Sequence, residues 1–264
     1  MSTVPMEGAS IGKVTVNGVQ LHYMHKGAGP HVLLCIPGSL APAEFAYTPQ
    51  FEYFGREGSG FKIVTFDLRG YGGSRPAERF KADTFYTTDV RDAQALMQAM
   101  GFQKYSVLGW SHGGGVAMML AAMFPESVEK LILIGSKAFH SQEDFEAIEK
   151  TRYISSWSPR LRQTMTQWYS NELLQELWAK LLDILIEIRE KYDGNICRDE
   201  LSKIGCPTLI LHGAKDSMVT LSHAHYLRDH IGGSQLEFME EAKHYLHHKF
   251  SKEANELVER FTTI

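Results

Sequence analysis

Short apolar runs recur along the chain and alternate with longer stretches in which apolar residues return at helical spacing. Several runs are apolar throughout, as is typical of strands that are buried on both faces of a sheet. Strands that alternate with helices predict an α/β protein whose mostly parallel sheet has flanking helices. The predicted strands are residues 31–36, 61–66, 105–108, 128–134, 207–212 and a less apolar run, 235–239, and the predicted helices are 87–100, 113–124 and 244–261.

The N-terminal segment has a different pattern. Residues 13–23 alternate between apolar and polar positions around the dipeptide Asn17-Gly18. Asn-Gly is favoured in two-residue hairpin turns because both positions require a positive φ. The segment therefore predicts an antiparallel hairpin at one edge of the sheet.

Residues 139–198 interrupt the alternation of strands and helices. They contain no convincing strand, and three of the four tryptophans, Trp157, Trp168 and Trp178, fall there. Apolar residues between 173 and 188 lie on one helical face. We interpret 139–198 as a helical lid inserted into an α/β core formed by residues 1–138 and 199–264. The three indoles either hold the lid on its core or line an apolar substrate pocket, and both interpretations stay open.

Composition excludes several classes of protein. With 44% hydrophobic and 22% charged residues, the chain is neither disordered nor collagen-like. The 27 basic and 31 acidic residues form no basic stripe, which argues against a nucleic-acid partner. Cys35, Cys197 and Cys206 form no CxxC motif and no metal-ligand spacing, so we expect free thiols in a reducing compartment. Nothing in the sequence implies a metal or a cofactor.

The sequence also leads to an expectation about location. No apolar run is long enough to span a bilayer. Residues 1–12 contain no Lys or Arg and no apolar run, unlike a secretory signal or a transit peptide. We therefore expect a soluble intracellular protein, cytoplasmic, or mitochondrial if a leader was trimmed away. We expect a monomer or a small homo-oligomer with no membrane partner.

One motif points to nucleophilic chemistry. Gly109-Trp110-Ser111-His112-Gly113 fits G-x-S-x-G, and it lies between an apolar strand and a helix that begins with small residues. In this context a serine sits on a sharp strand-to-helix turn with its hydroxyl exposed above the sheet. The alternative is a tight turn with no catalytic role, which the presence of a suitably placed acid and histidine argues against. We predict Ser111 as the nucleophile.

A serine nucleophile needs a base, and in this kind of fold the acid and the histidine follow the serine in that order. Asp216 lies at the carboxyl end of a strong strand, and His244 follows the last strand. We predict Asp216 as the orienting acid and His244 as the base, although an Asp at this position could instead cap the following helix. The competing histidines fall in a predicted surface helix or one turn beyond the base: His223, His225, His230, His247 and His248.

Backbone N–H groups are expected to form the oxyanion hole. The loop after the strand that contains Cys35 offers the N–H of Ser39, and the helix after the nucleophile offers the N–H of His112. Both would lie beside Ser111, because the carboxyl ends of parallel strands share one edge of the sheet.

Together these residues resemble the α/β-hydrolases, in particular the biphenyl-hydrolase-like (valacyclovir hydrolase) family. The similarity runs from about residue 11 to residue 261. It implies an α/β-hydrolase fold with a helical lid and a triad of Ser111, Asp216 and His244. Asp67-Leu-Arg-Gly-Tyr-Gly-Gly-Ser74 is common to many branches of the α/β-hydrolases and matches the fold. The stretches that match the narrower family are Val16-Asn-Gly-Val-Gln-Leu-His-Tyr23, Gly109-Trp-Ser111, Asp193-Gly-Asn-Ile-Cys-Arg198, Cys206-Pro-Thr-Leu-Ile-Leu-His-Gly213 and Gly213-Ala-Lys-Asp216.

The resemblance implies hydrolysis of α-amino-acid esters, with one departure. In this family an Asp immediately after the nucleophile binds the substrate's ammonium group, whereas this chain has His112 there. An imidazole cannot replace a carboxylate as the partner of an ammonium group. Either His112 points aside and another acid binds the amine, or the preference for amino esters is lost. His112 is therefore a candidate pocket residue as well as an oxyanion donor.

The expected function is that of a serine carboxylester hydrolase acting on small esters, which could include amino-acid esters, through an acyl-enzyme intermediate. A serine nucleophile argues against a dehalogenase or an epoxide hydrolase, which use a carboxylate. A hydrolase of thioesters, lactones or carbon–carbon bonds, or a cofactor-free haloperoxidase, would use the same triad. A small-molecule receptor that keeps the triad but turns over little is the alternative from another class.

Overall fold

The computed structural model describes residues 7–264. The expectation of no targeting sequence concerned residues 1–12, and residues 1–6 of that segment lie outside the described part. Eight strands form one sheet, and every strand expected from the apolar pattern is present. The strands are β1 (Ser10–Val16), β2 (Val19–Lys26), β3 (His31–Ile36), β4 (Phe61–Phe66), β5 (Tyr105–Trp110), β6 (Val128–Ile134), β7 (Thr208–Gly213) and β8 (Gln235–Met239).

The sheet is mostly parallel, as predicted. Its strand order is β1-β2-β4-β3-β5-β6-β7-β8. β3 to β8 run parallel to one another, whereas β2 is antiparallel to both β1 and β4. The predicted hairpin is confirmed, because Asn17 and Gly18 form its turn with φ values of 48° and 77°. β5, which leads to Ser111, lies near the centre of the sheet.

Helices cover both faces of the sheet. In β3, Leu34 and Ile36 join the core on one face, and Leu33 and Cys35 join the core on the other. Strands covered on both faces are apolar at successive positions, which is the pattern seen in the sequence. The helices of the core are α1 (Ala43–Phe54), α2 (Phe85–Ala99), α3 (His112–Met123), α7 (Leu221–His230), α8 (Leu246–Lys249) and α9 (Ser251–Thr263).

Two helical predictions need correction. α1 was not predicted, because it contains Pro49 and bends at Tyr47, whose φ and ψ are −132° and 19°. The single helix predicted for residues 244–261 is wrong. It is divided into α8 and α9 at Phe250, which has non-helical φ and ψ of −118° and 40°, and His244 precedes both helices in a loop. The loop places His244 beyond the end of β8.

The chain between β6 and β7 is helical. It contains α4 (Gln142–Glu149), α5 (Pro159–Met165) and α6 (Asn171–Tyr192). A single β-bridge pairs Phe139 with Asn195 at the base of this segment. The buried face of α6 matches the predicted apolar stripe. That residues 139–198 form a lid separate from the core stays a prediction.

The remaining composition-based expectations concern thiols and membranes. Cys35 and Cys197 are buried, Cys206 is partly buried, and all three thiols are free. Burial raises the pKa of each thiol, so these groups are poor nucleophiles. Across residues 7–264, no helix is both long enough and apolar enough to cross a bilayer.

Candidate active site

A strained turn holds the predicted nucleophile. Ser111 joins β5 to α3 with φ and ψ of 56° and −120°, a conformation that non-glycine residues rarely adopt. Its N–H donates a hydrogen bond of 3.0 Å to the carbonyl of Ile134. The turn is tight because Gly113 lacks a side chain, since a Cβ there would lie 2.0 Å from the carbonyl oxygen of Ile36. The small residues around Ser111 therefore permit the strained turn. At this turn Ser111 stays only partly buried.

The structure brings the predicted base and acid together. Nδ1 of His244 lies 2.8 Å from Oδ2 of Asp216. The other oxygen, Oδ1, accepts the N–H groups of Met218 and Val219 at 2.8 and 3.0 Å. Burial raises the pKa of Asp216, but His244 and these two N–H groups outweigh it, so the pKa lies below its ordinary value. A charged Asp216 fixes the proton of His244 on Nδ1 and leaves Nε2 to accept a proton.

Two residues that sequence reasoning missed support His244. Nε1 of Trp110 donates a 3.1 Å hydrogen bond to the carbonyl of His244, and the two rings lie 5.5 Å apart. Gly135 lies against the imidazole, since a Cβ at this position would be 3.1 Å from Nδ1. Trp110 is the first variable position of G-x-S-x-G, so the motif gave no signal for it. Gly135 follows directly after a predicted strand, where only its position could have drawn attention.

Ser111, Asp216 and His244 all follow strands at the same edge of the sheet. Trp110, which precedes Ser111, contacts His244 directly. Within residues 7–264, however, the hydroxyl of Ser111 forms no hydrogen bond to His244, whereas Asp216 does. Such bonds are often long in a free enzyme and shorten when substrate binds.

The two predicted oxyanion donors flank the nucleophile. Ser39 lies in the turn after β3, next to Gly38, and a Cβ added at Gly38 would lie 3.4 Å from Cβ of Ser111. The N–H of Ser39 has no protein acceptor in the described part of the chain. His112 is the first residue of α3, where an N–H has no acceptor within the helix. Their joint role as an oxyanion hole stays a prediction.

The side chain of His112 is buried in an ionic cluster. Its Nε2 lies 2.9 Å from Oδ2 of Asp89, and Arg79 binds the same oxygen. The imidazole stacks on Tyr86 with 4.5 Å between ring centroids. Burial lowers the pKa of His112, and the charge of Arg79 adds to this, while Asp89 opposes it. A neutral His112 therefore donates from Nε2 to Asp89, whose charge Arg79 compensates.

The predicted pocket tryptophans occupy two places. Trp157 and Trp178 pack edge to face at 5.0 Å, and both indole N–H groups donate to the carbonyl of Thr151. These contacts lie inside the helical segment. Trp168 instead packs on Phe45 of α1 at 6.0 Å. The contacts of Trp157 and Trp178 favour a packing role, and a pocket role for any of the three stays a prediction.

Comparisons with known proteins agree with this architecture. The family described as the alpha/beta hydrolase fold matches residues 31–185. Serine hydrolase BPHL of Homo sapiens is 41% identical over 250 residues, which cover 94% of this chain and 85% of that protein. The protein of the same name from Mus musculus is 39% identical over 249 residues, with the same coverage.

A solved structure supports the fold independently. The meta-cleavage product hydrolase CumD of Pseudomonas fluorescens IP01, solved as a mutant complexed with acetates, superimposes with a TM-score of 0.79. The match covers 96% of this chain and 98% of that one at 21% identity, so it bears on the fold alone. The chain is a hydrolase and belongs to the α/β-hydrolase family, within which it is a member of the biphenyl-hydrolase-like serine hydrolases.

Proposed function

We propose that the protein is a serine carboxylester hydrolase that acts on small esters through Ser111, His244 and Asp216. The observation that carries this proposal is the 2.8 Å contact between His244 and Asp216 at the edge of the sheet where the strained turn presents Ser111. A buried acid that orients an imidazole beside a serine is the arrangement that activates a hydroxyl nucleophile.

The proposed reaction proceeds in two halves. Nε2 of His244 accepts the proton of Ser111 while Oγ attacks the ester carbonyl, and the N–H groups of Ser39 and His112 bind the oxyanion. His244 then donates that proton to the departing alcohol, which leaves an acyl group on Ser111. A water molecule that gives its proton to His244 then attacks the acyl-enzyme. The bond between the acyl carbon and Oγ breaks, His244 returns the proton to Oγ of Ser111, and the acid is released. Asp216 stabilises the imidazolium formed in each half because its low pKa keeps it charged.

We further propose that an α-ammonium group is not required in the substrate. The residue after the nucleophile is a neutral His112, and the carboxylate beneath it, Asp89, is already paired with Arg79. A site that bound an ammonium group would need an uncompensated acceptor, because an unpaired charge is costly to bury. Esters without an amino group are therefore the better match to this site.

The test combines stoichiometry with a matched pair of substrates. With 4-nitrophenyl acetate we expect many products per chain and a trapped acetyl group on the peptide that contains Ser111, whereas a receptor would release about one product. Of ethyl 3-phenylpropanoate and phenylalanine ethyl ester, the first should have the higher kcat/KM. A preference of more than about 10-fold for the amino ester would contradict the proposed substrate class. If thioesters or lactones turn over and no ester does, the bond class is wrong.

Gly135→Ala tests whether the contact at His244 matters. The new methyl group would press on Nδ1, and an alanine at a φ of 51° is itself strained by about 1–2 kcal/mol. We expect kcat to fall by about 10- to 100-fold, because small displacements of a catalytic group are costly. Gly101→Ala is the matched control, since its φ of 82° strains an alanine in the same way and a Cβ there meets no atom within 4 Å. Equal activity of the two variants would refute this role for Gly135.

A further inference from the structure

A mostly buried lysine follows the strand next to the one that leads to Ser111, and it has no part in the mechanism above. Lys137 follows the carboxyl end of β6, the strand between β5, which leads to Ser111, and β7, which leads to Asp216. It is two residues after Gly135, where an added Cβ would lie 3.1 Å from Nδ1 of His244. Only 15% of its side chain is exposed. A lysine is rarely buried to this degree unless it has a partner or a task.

Lys137 belongs to a cluster that joins three parts of the chain. Its Nζ lies 3.1 Å from Oδ1 of Asp144 in α4. Oδ2 of Asp144 lies 2.9 Å from Nε2 of His223 in α7 and accepts the N–H of Ser141 at 2.7 Å. Asp144 therefore shares its charge among three donors and holds the ammonium group of Lys137 in one place. Burial lowers the pKa of Lys137, while the charges of Asp144 and Asp216 oppose this change.

The donors of Lys137 are not exhausted by these contacts. An ammonium group has three N–H donors, and Asp144 is its one acceptor within residues 7–264. The triad carboxylate whose charge acts on Lys137, Asp216, in contrast has partners at both oxygens, because one lies against His244 and the other accepts the N–H groups of Met218 and Val219. This edge of the sheet thus offers spare hydrogen-bond donors with positive charge, which suit an anion better than an ammonium group.

We propose that Lys137 forms a subsite for a carboxylate group carried by the ester substrate. The proposal rests on the proposed esterase function and names a substrate class for the same site. Lys137 would bind the carboxylate at a fixed distance from Ser111, and Asp144 would position the lysine. The alternative is that Lys137 only fastens α4 to the core, in which case its loss would affect every substrate alike.

Matched esters separate these two roles. Monoethyl succinate and monoethyl adipate differ from ethyl butanoate and ethyl hexanoate by a terminal carboxylate in place of a methyl group, and 4-acetoxybutanoate differs from butyl acetate in the same way on the alcohol side. Hydrolysis is followed in a pH-stat. We expect at least one charged ester to exceed its neutral partner in kcat/KM by about 10-fold or more. This preference should shrink at high ionic strength, since salt screens charge pairs.

Lys137→Met should abolish the preference for the charged ester, chiefly through KM, and change the hydrolysis of neutral esters by less than about threefold. Lys137→Arg should restore much of the preference, and Lys150→Met, the same change at an exposed lysine after α4, should leave it intact. An equal loss on charged and neutral esters, or a wild-type protein without any preference, would overturn the subsite. If wild-type protein hydrolyses none of the esters, or Ser111→Ala hydrolyses them normally, the esterase proposal itself fails.

Discussion

Ser111→Ala should lower kcat for ester hydrolysis by about 10⁵-fold, because no other group can form the acyl-enzyme. The substitution keeps Cβ, and the Ser111 hydroxyl has no hydrogen-bond partner in the part of the chain described, so no fold contact is lost. The thermal unfolding midpoint should therefore be nearly unchanged. Steady-state kinetics on ethyl butanoate and a melting curve are the two measurements.

Contamination by host esterases is the main risk in measuring so low a rate. The Ser111→Ala protein should be purified in parallel with wild type, and neither its residual rate nor that of a mock preparation should respond to a serine-directed phosphonate. Wild-type protein should lose all activity after reaction with one equivalent of that reagent. A variant that keeps more than about 1% of wild-type kcat would remove Ser111 from the mechanism.

Asp216→Asn should lower kcat by about 10⁴-fold with little change in KM. The reason lies in the contacts of its two oxygens. Oδ1 accepts the N–H groups of Met218 and Val219, so in the variant the amide oxygen must stay there and the NH₂ group must face His244. Nδ1 of His244 then has to accept a hydrogen bond, which moves its proton to Nε2. An Nε2 that carries a proton cannot deprotonate Ser111.

If Asp216 acts through the proton of His244, two further results are expected that a general loss of stability would not produce. Because both residues serve one proton transfer, Asp216→Asn in a Ser111→Ala background should cause almost no additional loss of kcat. Nδ1 of His244 should also change its proton signal in NMR spectra, since it would no longer donate to a carboxylate. A variant that kept the wild-type signal and lost less than about 10-fold in kcat would show that Asp216 only caps the loop.

The sequence predicted those parts of the fold whose signals are local. Uninterrupted apolar runs identified the strands, and Asn17-Gly18 identified the hairpin turn. α1 was missed because it contains Pro49, a residue that normally argues against a helix interior, and because it bends at Tyr47. The division of the C-terminal helix at Phe250 was missed because its apolar residues keep helical spacing across the break. In both cases tertiary packing decides the local conformation.

The site residues also fall into those that the sequence predicted and those that only the folded structure shows. Ser111, Asp216 and His244 each follow a strand, so their meeting at one edge of the sheet could be expected from strand order. The ionic clusters could not, because their members come from distant parts of the chain: Arg79 and His112 are 33 positions apart, and Asp144 and His223 are 79 positions apart. His223 was placed in a surface helix, and the prediction of that helix was right, but its ring is 2% exposed on the inner face. Only the folded chain shows which side chains share a buried charge.

The position of β8 has a consequence for how the enzyme population behaves. β8 has five residues, pairs with β7 alone and ends the sheet, whereas β5 is paired on both sides. β8 also holds the loop that follows β7, since the carbonyl of Met239 accepts the N–H of Ala214. Edge elements open locally at a much lower free energy than the centre of a sheet. Amide hydrogen exchange should therefore be fast in β8 and slow at Ser111, and each local opening would separate His244 from an intact nucleophile. On warming, the arrangement of His244 relative to Ser111 should therefore be lost through the fraying of this short strand before the protein unfolds globally.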